Sequence, residues 1–489
     1  MRSNIFKVGS LALLLLATAC GKPAVKTPVG GKIADPSKPG EVTAEEKSAY
    51  DSALKAFVEH DKANDWAEAA CKSSADAFVA VNEATKKKSG KEVPQALYNA
   101  GLSYQRCNND AEAKKLFAQT LALDPKFHRA KVQVALYDYK DKGESALPQT
   151  VEMLQQAVLD AEFQNPDALV NLAMLQMKRN GSTGDGKSCE NDMDCAKRNI
   201  QRALAVDDSF MPAFNQLAQY YLERAKSKAG KTSTKTVTSG KKTKGINQQQ
   251  LELAALVCSQ AIRKNPKYAP IHNTAGLIQV ELGNINGAVA EFRQASQLDA
   301  GFFEAHMNYA AVNLSFRGFK NAEEAYASAL KIKPGDFDAK LGQALAIRGQ
   351  INDSNFDDSI KRSQALLEEA RKISPERPET YYNEAILTQE YKVKGITDQK
   401  ATLPVYDQAI ATYNAFIQKA GAAPEYADAV KRSRERIKDM EDFKKFIVDG
   451  IKADEEAAAQ KPPEQLDGLD GPTGADGAAP PPAGDKPAH

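Results

Sequence analysis

Tryptophan occurs once in the 489 residues, histidine five times and cysteine six times. One histidine is the last residue, His489, so little material remains for a His-based metal or acid–base site. An excess of one charge sign is also missing. Lys plus Arg number 65 and Asp plus Glu 64, which argues against a general nucleic-acid binder, since that needs a net basic footprint. Thirty glycines spread along the chain exclude a collagenous protein, and with the single Trp they argue against a β-propeller. Beyond the first residues no stretch stays apolar for about 18 positions, so no transmembrane helix is predicted. What is present is ordinary for a soluble globular protein: 42% hydrophobic and 26% charged residues. The length suits one large domain or about three average ones. Composition favours an Ala-rich, Pro-punctuated helical chain with no obvious reaction centre.

Residues 1–19 read as a secretory signal. Arg2 and Lys7 form a positive start, Val8 to Leu16 an apolar run, and Ala17, Thr18 and Ala19 a small-residue end before Cys20. The run is too short to span a bilayer. Small residues directly before a Cys resemble a bacterial lipobox, with Ala17 where that pattern prefers Leu. An ordinary secretory signal followed by a chance Cys is the alternative. The resemblance implies that Cys20 is acylated (palmitate included) as the first residue of the mature chain. With Gly21 next rather than Asp, it also implies the outer membrane, facing the periplasm. Each buried methylene adds about 0.8 kcal/mol of anchoring. Loss of 1–19 removes two positive charges and takes the formal charge from +1 to −1.

Residues 20–42 carry Pro23, Pro28, Pro36 and Pro39 among Gly and Lys, and read as a disordered tether spanning roughly 25 Å. Residues 451–489 read as a disordered Pro/Gly/Ala/Asp tail. Gly468, Gly471, Gly474 and Gly477 recur every third residue, but too briefly for a collagen helix.

Between the tails the chain repeats itself. Pro94 opens a unit that closes at Pro125, and the next opens at His128. Ala269, Phe303 and Phe337 start three more units at a constant period of about 34 residues. Ala275-Gly276, Tyr309-Ala310 and Gln343-Ala344 fall at matching places; so do Ala288 with Ala322, Phe292 with Tyr326, and Ala295 with Ala329. In the first unit the counterparts are Gly101, Tyr104, Ala113, Phe117 and Pro125. This pattern resembles the tetratricopeptide repeat. Apolar residues at three- and four-residue spacing make each half-unit an amphipathic helix. Asn108-Asn109-Asp110 and Gly283-Asn284 mark turns, and Pro334 stops a helix. One pair cannot bury its own apolar face, so neighbours must stack.

The expected fold is therefore all-α: a tetratricopeptide-type superhelical solenoid of about nine helix pairs over 43–450. Insertions are predicted near 180–195, 229–246, 350–356 and 393–404, with a capping helix at 424–450.

Cys189 and Cys195 lie in one polar insertion, SCENDMDC, and their spacing suits a local disulfide outside the cytosol. Cys71 and Cys107 fall in neighbouring pairs and are a second candidate bond. Cys258 reads as a buried packing thiol. No metal, cofactor, catalytic residue or small-molecule substrate is predicted. Gly230-Lys231-Thr232 imitates the end of a phosphate loop, but Ala225 stands where the motif needs Gly and no strand precedes it. His272 and His306 occupy equivalent places and read as packing residues. The stretch 227–245 holds six Lys and no acid, and reads as a solvated loop or an electrostatic contact to an anionic surface.

In tetratricopeptide proteins the first helices line a groove that holds a partner peptide or helix. Carried over, that implies groove residues Tyr98, Leu102, Gln105, Asn215, Asn273, Leu277, Val280, Met307, Leu314, Leu341 and Leu345. Asn215 and Asn273 would bond a partner backbone, as similar Asn residues do in the family. The overall plan resembles the tetratricopeptide lipoproteins of bacterial gliding-motility envelope complexes. The expected function is an outer-membrane-anchored periplasmic scaffold that binds other envelope proteins. The alternatives are a pilotin-like assembly factor for a type IV pilus secretin and an accessory lipoprotein of cell-wall enzymes.

Overall fold

The computed structural model describes residues 43–63, 65–182, 189–227 and 247–459. The helices are α1 (Ala44–Ala63), α2 (Glu68–Ser89), α3 (Pro94–Arg106), α4 (Asp110–Leu123), α5 (His128–Lys142), α6 (Leu147–Asp160), α7 (Pro166–Arg179), α8 (Asp192–Val206), α9 (Met211–Lys226) and α10 (Gln248–Lys264). They continue with α11 (Ala269–Glu281), α12 (Ile285–Leu298), α13 (Phe303–Ser315), α14 (Phe319–Ile332), α15 (Phe337–Arg348), α16 (Phe356–Ile373), α17 (Glu379–Glu390), α18 (Gln399–Ala420) and α19 (Ala427–Ala459). No strand occurs among the described residues. Each odd-numbered helix from α1 to α17 packs on the even-numbered helix after it, and each pair packs on the next. The result is the all-α solenoid that the period predicts, with nine pairs and a final long helix among the described residues.

Local chemistry explains the helix starts. Asn109, Asn165, Asn191, Asn247, Asn284 and Asp336 each precede a helix, and each side chain accepts a backbone N–H from the first turn. Proline opens several first helices, where its missing N–H costs nothing. In four pairs the inner turn holds one left-handed residue at the same place. Asn108, Asn180, Gly283 and Arg317 have φ of 59°, 48°, 75° and 66°, and all stand fifteenth from their unit's first residue. Gly and Asn tolerate that conformation; Arg317 does not favour it and adopts it because the units on either side dictate the turn.

Packing inside a pair follows the small–large pattern. A Cβ on Gly101 would lie 2.7 Å from the Phe117 ring, and one on Gly276 2.5 Å from the Phe292 ring. Phe117 and Phe292 are almost fully buried. Burying each such ring contributes about 1.5–3 kcal/mol. In the first pair Tyr50 and Phe57 are wholly enclosed, and the Asn99 amide donates to Tyr50 Oη at 3.0 Å.

Three expected boundaries are corrected. The tail does not begin at 451: α19 continues to Ala459, because its Glu-Glu-Ala-Ala-Ala end is strongly helix-forming. The insertion near 393–404 is half helix. Asp398 caps Lys400 N, so α18 starts at Gln399, with Pro404 inside it. Only a 3-10 turn, Lys392–Gly395, and the short link after it remain irregular. Within 180–195, α8 already starts at Asp192, so Cys195 is helical. The signal at 1–19, Cys20, the tether to 42, most of the basic stretch 227–245 and the tail after 459 lie outside the described residues.

Candidate interaction surface

First helices touch their counterparts in the next pair from α5 through α17, whereas second helices make no comparable contact. The first helices therefore lie on the inner, tighter side of the curve. Side-chain hydrogen bonds cross-link them. Gln105 Nε2 donates to Gln133 Oε1 at 3.3 Å, and Gln216 Nε2 to Met177 Sδ at 3.1 Å. Thr274 Oγ1 donates to Asn215 Oδ1 at 2.7 Å, and Asn308 Nδ2 to Asn273 Oδ1 at 2.9 Å. Arg348 Nη1 donates to Asn383 Oδ1 at 3.1 Å.

This ladder sorts the residues named from the sequence. Tyr98, Leu102, Asn273 and Met307 are buried at 3%, 0%, 2% and 7% exposure, so they are core and not groove lining. Tyr98 lies between Phe117 and Phe127, its ring tilted against both with centroids 5.5 and 5.3 Å away. Asn273 has its carbonyl oxygen occupied by Asn308, and Asn215 its own by Thr274. Both oxygens serve as inter-helix ties; Asn273 is buried, whereas Asn215 stays half-buried. Neighbouring first helices approach closely enough to cover residues that a single helix would expose.

Gln105, Leu277, Val280, Leu314, Leu341 and Leu345 remain half-buried. Leu277, Val280, Leu314 and Leu345 stand ninth or twelfth from the start of their helices. Leu136, Tyr139, Met174 and Met177 occupy the same places in α5 and α7, and are also half-buried. Sequence reasoning missed these four. Counting from His128 and Pro166 finds them. The inner side thus carries a broken apolar row from α5 to α15.

The C-terminal end of that row is polar. Arg436 pairs with Glu390 at 2.8 Å and donates to Gln389 Oε1, which also accepts from Tyr413 Oη at 2.9 Å. Burial pulls Arg348 below the usual guanidinium range, opposed by Tyr391 and Glu390 nearby. These groups neutralise one another and hold the last pair in place.

His272 Nδ1 lies 2.7 Å from Glu291 Oε2 and Nε2 lies 2.9 Å from the Pro266 carbonyl. His306 Nε2 meets the Ala300 carbonyl at 3.1 Å. Both rings tie a first helix to the turn before it. Among the described residues no group of three or more His, Cys, Asp or Glu is arranged to hold a metal, and no helix is long and apolar enough to cross a membrane. Cys71 pairs with Cys107 and Cys189 with Cys195, with Cα atoms 6.2 and 5.1 Å apart. Cys258 is buried, and burial pushes its thiol up to about 12.

Residues 94–127 match the family model of the tetratricopeptide repeat. The Hsp70-Hsp90 organizing protein of Triticum aestivum is 26% identical over 134 residues, 27% of this chain. The chain spans only 22% of that relative's length. Among solved structures, a thermophilic tetratricopeptide protein of Thermus thermophilus aligns at 23% identity over 45% of this chain and 99% of its own, with a TM-score of 0.35. PilF of Pseudomonas aeruginosa aligns at 15% identity over 53% of this chain and 96% of its own, with a TM-score of 0.36. Repeats of the kind at 94–127 serve as scaffolds that bind partner proteins or peptides.

Proposed function

We propose that this chain is a lipid-anchored scaffold at the periplasmic face of the outer membrane. Its inner side holds a segment of another envelope protein, in a machine of the gliding-motility kind. The observation that carries the binding role is the apolar row at the ninth and twelfth helix positions. Leu136, Tyr139, Met174, Met177, Leu277, Val280, Leu314 and Leu345 stay half-exposed, while the rings that fill the pairs, such as Phe117 and Phe292, are buried deeply. Such a row suits the apolar face of an amphipathic segment.

The location rests on other support. The residues before Cys20 have lipobox character, and two cysteine pairs stand within disulfide reach, which favours an oxidising compartment. Motility rests on the overall plan of signal, tether, solenoid and tail.

Two experiments test the reading. Cells fed a labelled fatty acid should label the wild-type chain and not Cys20→Ala, and the variant should leave the outer-membrane fraction. Unchanged fractionation removes the anchor. Co-purification with Leu277→Ser plus Leu345→Ser should lose a partner that the wild type retains, with the melting profile checked alongside. A partner retained by a folded variant removes the inner-side role.

A further inference from the structure

Helix α19 carries two stripes. Ser433, Met440 and Ile447 are buried, Ile437 is half-buried, and together they face the last pair. Phe443, Phe446, Gly450, Ala453 and Ala457 form a second stripe, spaced by three, four, three and four residues. That is the spacing of a helix-pairing seam. Phe443 is 49% exposed and Phe446 72%, the largest exposure of a large apolar side chain among the described residues. The aromatic end is ordered: Phe446 stacks on Phe443 at 6.4 Å, and Phe443 meets Tyr406 of α18 edge-on at 5.7 Å. Lys444 pairs with Asp407 at the same level and pins α19 to α18. Further on, the helix runs largely exposed to its end. At 1.5 Å per residue the stripe is about 22 Å long, enough for three turns of a partner helix and more.

The flanks say what covers it. Asp442, Asp449 and Glu456 border the stripe on one side and Asp454 on the other; all four are exposed. Lys438, Lys445 and Lys452 stand one turn before Asp442, Asp449 and Glu456, a step further from the stripe, so the acids are the charges nearest the seam. A second copy would set acid against acid in either orientation. The chain that follows has Lys461 and Lys486 against Glu464, Asp467, Asp470, Asp476 and Asp485, so it carries the same sign as the flanks. We propose that this face docks a basic amphipathic helix of another protein. That helix would seat large apolar side chains over Gly450, Ala453 and Ala457 and place Lys or Arg opposite the four acids. The surface lies outside the apolar row of the inner side and does not depend on the anchor.

The test uses the full chain and two synthetic helical peptides about three heptads long. Both carry Leu at the seam; one has Lys at the flanks and the other Glu. Fluorescence anisotropy should show the Lys peptide binding at least about tenfold more tightly, with affinity falling as salt rises. Phe443→Ser plus Phe446→Ser should weaken it at least about tenfold. Asp442→Lys plus Asp449→Lys plus Glu456→Lys, confined to exposed positions, should reverse the preference. Equal affinity for the two peptides overturns the proposal. So does Lys-peptide binding that ignores the Phe substitutions, or a dimer in sedimentation equilibrium that those substitutions disperse.

Discussion

The Asn308 side-chain amide donates to Asn273 Oδ1 at 2.9 Å, joining α13 to α11 across two units. Asn273 is 2% exposed and Asn308 half-buried, so the acceptor end of this bond is buried. Asn273→Ala removes the acceptor and leaves the Asn308 donor poorly paired. The expected cost is about 1–3 kcal/mol of stability, read from urea denaturation. Asn215→Ala should cost less, since Asn215 is only half-buried. If Asn273→Ala keeps full stability yet loses a partner, Asn273 belongs to the binding surface after all.

Gly276 sits against the almost fully buried ring of Phe292. Alanine there would gain about 1 kcal/mol of helix propensity but force a Cβ to 2.5 Å from the ring. Overpacking of this kind costs about 1–3 kcal/mol. Gly276→Ala should therefore lower the urea midpoint, and adding Phe292→Leu should restore part of the loss. A rise in stability for the single variant would show that the ring moves freely.

His272 couples stability to pH. Burial alone would lower its pKa, but the hydrogen bonds to Glu291 and the Pro266 carbonyl, with the Glu291 charge, raise it above the usual histidine value. Both ring nitrogens face acceptors, which only the protonated imidazole can satisfy fully. The folded pKa exceeds the unfolded one, so this contribution is complete below the unfolded value near 6.5. It is lost as pH rises through the folded value. The urea midpoint should fall on going from about pH 6 to pH 9. Glu291→Gln should flatten that fall, and an identical slope in both proteins would count against the pairing.

Cys71 and Cys107 are separated by 36 residues and join α2 to the turn after α3. A bond closing a loop of that size contributes about 3–4 kcal/mol at most through the unfolded chain. Reductant should lower the melting temperature of the N-terminal pairs, and Cys71→Ser plus Cys107→Ser should reproduce the loss and abolish the response. Peptide mapping without reduction should recover the two cysteines in one linked fragment; free thiols there would exclude the bond.

Periodicity carried much of the fold. Gly101 with Phe117, Gly276 with Phe292 and the Asn or Gly of each turn are local patterns, set by how two helices meet within about 34 residues. The groove was less legible. Leu102 and Leu277 occupy the same place in their helices, yet Leu102 is wholly buried and Leu277 half-buried. Leu102 belongs to one cluster with Tyr50, Phe57 and Phe78 of the first pair and Ala130 and Tyr137 of α5, neighbours that the pattern within a unit does not contain. Leu136 and Met174 were overlooked for the same reason in reverse: their units are degenerate, and only the stacked helices show the shared register.

Small residues on one helix facing a ring on the other, as Gly101 faces Phe117 and Gly276 faces Phe292, repeat with the period, so the chain order by itself determined an all-α stack. How far each apolar or amide side chain stays open was decided by the approach of non-sequential helices. Burial is a property of the neighbours a residue ends up with, as Asn273 against Asn308 and Phe446, stacked on Phe443 and 72% exposed, both show.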